Sequence, residues 1–191
     1  MRVAPFPVIL LLGLNLGCAG HSSVKSVERL DARTGATVAV LKEPIELLPS
    51  AAYAAQVTQK RLSFAYLGPV EWNRSGALSY GLWIHIAPGN DAQPGDIHAA
   101  AAVTLMLDDG PLALSRMEAP MLGRDPYQPV ASWGQTAYFG LDVPSLGRLA
   151  ASRKLELEVP TKDGSIMSFY PTADARPALT QYVKARGITR D

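Results

Sequence analysis

Apolar and polar side chains alternate over short stretches along most of the chain, most regularly at residues 154–159, where Leu155, Leu157 and Val159 interleave with Lys154, Glu156 and Glu158. Alternation of period two puts one face of a strand on a core and leaves the other in water, the pattern of an antiparallel sheet. The longest such region predicts a hairpin. Leu62, Phe64 and Tyr66 alternate on one arm, and Leu78, Tyr80, Leu82, Ile84 and Ile86 on the other, around Asn73-Arg74-Ser75-Gly76, whose glycine accepts a positive φ. A second hairpin is predicted from Val103, Leu105 and Leu107 through Asp108-Asp109-Gly110 to Leu112 and Leu114. Residues 136–141 and 166–170 read as further strands, as do the β-branched residues of 37–41. Pro44 interrupts that last strand, so 45–48 is expected to continue it as an edge strand or bulge.

Two segments carry the helical period instead. Asp142 stands ready to cap a short helix near 143–152, with Pro144 in its first turn and Leu146, Leu149 and Ala150 on one side. A C-terminal helix near 174–186 places Ala175, Leu179, Tyr182 and Val183 on one stripe, and Gly187 followed by Ile188 predicts a Schellman ending. A short helix is also expected within 50–60, and loops over 88–97 and 116–133. The sum is a mainly β domain over 34–191, expected as a two-layer antiparallel β-sandwich closed at one end by a helix.

Residues 1–17 break this pattern with a single charge, Arg2, and a short apolar run from Val8 to Leu16. The run is too short to span a bilayer, which takes roughly 20 apolar residues, and reads as a secretory signal. Residues 18–33 are small and polar and are expected to be a flexible tether. Without Arg2 the 18 basic residues fall level with the 17 acidic ones. No basic run or positive excess points to nucleic acid as a partner.

Leu14-Asn15-Leu16-Gly17-Cys18-Ala19 resembles the lipobox of bacterial lipoproteins, with Asn15 where an aliphatic residue is usual. The resemblance implies that the Cys18 thiol takes a diacylglycerol, that cleavage falls before it and that the new amino terminus is acylated. With Ala19 rather than an aspartate next, it also implies the periplasmic face of the outer membrane. Cys18 is the chain's single cysteine, and a thioether removes a thiol that has no disulfide partner. Further along, Leu30-Asp31-Ala32-Arg33-Thr34-Gly35-Ala36-Thr37-Val38, Pro44 and residues 64–76, FAYLGPVEWNRSG, resemble a group of uncharacterised proteobacterial lipoproteins. That likeness implies the same compartment and brings no activity, cofactor or substrate.

Candidate chemistry is sparse. His85 with Asp96 and His98 could converge on zinc or another divalent metal if the loop folded back; otherwise His85 simply occupies the less apolar strand face. No Gly-x-Ser-x-Gly elbow or phosphate-cradling glycine loop occurs, and no cofactor is expected. Trp72, Trp83, Tyr127 and Trp133 either form an exposed aromatic surface for a partner or cover a sheet face. The favoured reading is a non-enzymatic binding or structural module of the envelope, ahead of an accessory subunit of a secretion or assembly machine and of a metal-dependent enzyme.

Overall fold

A computed structural model describes residues 26–50, 63–87, 100–129, 131–161 and 164–188. Ten strands form one antiparallel sheet: β1 (Ser26–Asp31), β2 (Ala36–Leu41), β3 (Ile45–Pro49), β4 (Phe64–Arg74), β5 (Ala77–Ala87), β6 (Ala102–Leu107), β7 (Gly110–Met117), β8 (Gln135–Gly140), β9 (Glu156–Pro160) and β10 (Ile166–Pro171). Two helices complete the described chain, α1 (Val143–Ala151) and α2 (Arg176–Ala185).

The mainly β reading holds, but the sandwich is corrected to a barrel. In the order β4-β3-β10-β9-β6-β7-β8-β5, eight strands run round and close through the pairing of β5 with β4. The long β4 makes this possible. One of its edges pairs with β5 along its whole length, Phe64↔Ala87 to Arg74↔Ala77, while the other pairs with β2 at residues 70–73 and then with β3 at residues 65–67. Strands β2 and β3 are thus one line broken at Pro44, as the sequence suggests, but β3 lies between β4 and β10 rather than at an edge. Strand β1 pairs with the outer edge of β2, Ser26↔Leu41 to Asp31↔Ala36. The expected tether over 18–33 is therefore corrected in its second half: 26–31 is sheet, held by a backbone ladder that its polar side chains do not reveal.

An eight-stranded barrel has an interior just wide enough for side chains to fill. Here it is filled by Leu47, Leu67, Ile84, Leu105, Phe139, Leu157, Val159 and Phe169, all essentially inaccessible to water. The register sets them on one face: Leu67 lies opposite Ile84, and Leu105 opposite Leu157. Each turn carries the residue its geometry needs. Ser75 and Gly76, with φ of 55° and 90°, form the tight β4–β5 turn, and the Asn73 carboxamide accepts the Gly76 N–H at 2.8 Å.

Both helices form where their caps lie. The Asp142 carboxylate accepts the Ser145 N–H at 2.8 Å, and α2 ends with Gly187 at φ 67° and the Ile188 N–H bonded to the Val183 carbonyl at 3.1 Å, the predicted Schellman closure. The helices pack together, and Tyr182 of α2 donates to the Ala39 carbonyl of β2 at 3.1 Å. Asp108, at the β6–β7 turn, accepts the N–H groups of Arg153 and Lys154 and so fastens the chain leaving α1.

Candidate functional site

Of the region 116–133, expected as a surface loop, residues 118–129 and 131–133, with Gly134, instead form a strap across the outer face of β1, β2, β4 and β5. Contacts with β1 and the turn after it, about ninety residues earlier in the chain, place its first half. The Asp31 carboxylate at the end of β1 accepts the Gly123 N–H at 2.8 Å and the Thr34 hydroxyl at 2.8 Å, and these donors hold its pKa below the ordinary value. Arg33 donates to the Leu122 carbonyl at 2.9 Å, and Arg29 to that of Asp125.

The strap's centre is Tyr127, 3 % exposed. The hydroxyl end of its ring lies against Gly68, so close that a Cβ on that glycine would stand 2.3 Å from the ring. Its hydroxyl accepts the Leu41 N–H at 3.0 Å and donates to the Pro69 carbonyl at 2.8 Å. Beneath it, Trp83 is wholly buried at 5.0 Å between ring centroids, and stacks in turn on His85 at 5.6 Å and 10°. Thr136 bonds His85 Nδ1 at 2.9 Å, while Nε2 faces Gly134 and, like Trp83 Nε1, has no hydrogen-bond partner among the described residues.

Burial pushes the His85 pKa below its ordinary value, opposed by the Ala131 carbonyl and the Asp125 charge. The folded protein therefore keeps this imidazole neutral, whereas the unfolded chain protonates it near 6.5. Its contribution is complete above that pH and is lost as pH falls from about 6.5 toward the lower folded value, with a slope of at most about 1.4 kcal/mol per pH unit. Urea midpoints measured between pH 7.5 and 5 are expected to show this loss, and the slope is expected to shrink in a His85→Gln variant.

At the opposite end of β5 the barrel wall opens. Strand β7 pairs with β8 only at Arg116↔Phe139 and Met117↔Tyr138, so the edge from Pro111 to Ser115 has no strand beside it among the described residues. A groove of about 680 Å³ runs there, lined by Trp72, Tyr80, Met117, Leu141, Ala113 and Ser115. Trp72 and Met117 of its lining both crowd Gly81, where a Cβ would stand 3.1 Å from the Trp72 ring and from Met117 Sδ. Beside it, Val143, Ala150, Ala151, Val183 and Ile188 line an apolar cleft of about 690 Å³ between the helices, with Arg148 on its rim held by Asp109 at 2.7 Å.

The four aromatic residues singled out in the sequence are thus not one surface. Trp83 and Tyr127 are core, Trp72 walls the groove, and Trp133 stands alone in the strap, 70 % exposed. The reading of Trp83 and Tyr127 as exposed contacts is corrected, because two-residue alternation cannot tell a solvated outer face from one covered by a strap. Asp96, His98 and Cys18 lie outside the described residues, as does the helix expected within 50–60 and the loop over 88–97. No group of three metal-ligating side chains occurs among the described residues, and His85 is enclosed by Trp83, Thr136 and Gly134. Tyr80, Met117 and Leu141 carried no sequence signal as groove residues; only closure of the barrel gathers them. No protein-family model, curated protein or solved structure matches the chain.

Proposed function

We propose that the chain is a lipid-anchored protein of the bacterial envelope, held through Cys18 at the periplasmic face of the outer membrane, and that it acts as a non-enzymatic binding module for an envelope protein. The observation that carries the binding role is the open β7 edge beside Trp72 and Tyr80. An unpaired strand edge offers backbone donors and acceptors to an extended segment of another chain, and a neighbouring aromatic wall gives it side-chain selectivity. Pro111, which has no N–H to offer, marks where such pairing would stop. The lipid attachment is supported by the lipobox-like run ending at Cys18, and several acyl chains hold a domain at a bilayer far longer than one.

A photo-crosslinking residue placed at Ala113 or Ser79 in intact cells is expected to give a defined adduct with one envelope protein. Truncating Trp72 to alanine is expected to reduce that adduct at least about tenfold, the loss expected of an aromatic anchor. Adducts no stronger than those from the exposed Ala173 outside the groove would overturn the binding reading. Survival of the adduct as a stable complex through gentle purification would make the chain an accessory subunit of a larger assembly.

A further inference from the structure

The barrel has two unlike ends. Strand β1 runs in the same direction as β4, so Ser26 begins on the side of the end where β4 starts, β5 finishes and β8 begins. The strap finishes at that same end, where Gly134 packs on His85 and against the Ile86 carbonyl. The groove beside Trp72 lies toward the other end. Val27 is level with Val40 and hence with Val70, while His85 is level with Tyr66, four residues nearer the start of β4. Ser26 at the start of β1 is one residue nearer that end than Val27, so at ~3.3 Å per residue Gly134 on His85, with Trp133 beside it, stands about 10 Å nearer that end than the start of β1.

Seven residues separate Cys18 from Ser26, eight Cα steps that span at most about 28 Å. A lipid on Cys18 thus keeps the start of β1 within that distance of the bilayer, and the reach suffices for the Trp133 end to touch it. Trp133 is built for that position: it is 70 % exposed, and its neighbours Ala131, Ser132, Gly134, Gln135 and Thr136 are all uncharged. An indole with an apolar body and one N–H prefers the headgroup boundary over either water or hydrocarbon. Leu48 and Tyr170, paired across β3 and β10 and both partly exposed, add apolar surface toward the same end.

We infer that this end of the barrel faces the bilayer and that the Trp133 indole seats in the headgroup interface as a second membrane contact beside the lipid. The inference rests on lipidation of Cys18. Two points of attachment fix the barrel's orientation, which a single lipid on a seven-residue connection does not, and they turn the Trp72 groove away from the membrane.

The test uses the mature protein purified from cells and reconstituted into phosphatidylethanolamine–phosphatidylglycerol vesicles, with and without bromine on the acyl chains. Brominated lipid is expected to quench tryptophan emission of the wild type, and Trp133→Phe is expected to lose most of that quenching while still floating with the vesicles. Trp83, buried, and Trp72, toward the far end, remain as unquenched internal references. Flotation with equal quenching in both proteins, or with none in either, overturns the second contact and leaves the anchor standing. Failure of the wild type to float, with a mass that includes no diacylglyceryl or acyl group, overturns the anchor and the inference together.

Discussion

Truncating Tyr127 to alanine is expected to cost about 3–5 kcal/mol of stability, because it removes a buried aromatic ring and orphans two buried backbone groups at once. The Leu41 N–H and Pro69 carbonyl have this hydroxyl as their bridge, and the ring is the lid on Trp83. The strap is expected to lift, and the Trp83 emission to move toward the red as water reaches the indole. Gly68 tests the same contact from below. A methyl group there would meet the ring of a tyrosine pinned at its far end, so Gly68→Ala is expected to destabilise by about 1–3 kcal/mol. Once the ring is gone the clash is gone, and Gly68→Ala is expected to cost almost nothing in the Tyr127→Ala background. Urea unfolding of the two single variants and the double variant measures this coupling; simple additivity would show that the ring and the glycine do not bear on one another.

The second large effect is expected at Arg186, just past the end of α2. Its guanidinium meets Glu28 of β1 at 2.7 Å and Glu71 of β4 at 3.7 Å, and the Arg186 and Glu71 side chains are only 14 % and 11 % exposed. Tyr80 and Tyr182 crowd the same carboxylate, and burial together with the Glu71 charge raises both their pKa values. Arg186→Met is expected to cost about 3–5 kcal/mol, since a half-dismantled buried ion pair leaves a carboxylate in an apolar setting with no countercharge. Replacing Glu71 by glutamine in the same protein removes the uncompensated charge and is expected to recover a large part of the loss. Thermal unfolding of the single and double variants decides it: a double variant no better than Arg186→Met would show that the arginine acts by packing alone. Through this contact α2 is tied to β1 as well as β2, so the helix helps hold the first strand on the barrel.

That first strand shows how far the chain could be read without its fold. The polar segment Ser26-Val27-Glu28-Arg29-Leu30-Asp31 has neither a clean alternation nor a dry face, and it resembles a tether. It is a strand because β2 offers a free edge and because Arg29, Asp31 and Glu28 each find a partner from the strap or α2. The strap itself is the second case. A proline-rich stretch with one tyrosine is indistinguishable from an exposed loop until Gly68, with no side chain, leaves room for the ring.

The chain's local chemistry settled whatever depends on neighbours in sequence: the period-two strands, the Asn73–Gly76 and Asp108–Gly110 turns, the Asp142 cap, the Gly187 closure and the unusual character of residues 1–18. Each is fixed by side-chain period or backbone dihedral preference within a few residues. The tertiary structure alone decided closure of the barrel, burial of Trp83 and Tyr127 with exposure of Trp133, and the opening of the β7 edge. The reason is that alternation says which residues share a face but not what covers it. Barrel and sandwich strands have the same period, and they differ only in long-range pairings such as β3 with β10 and β5 with β8, whose register no local pattern specifies.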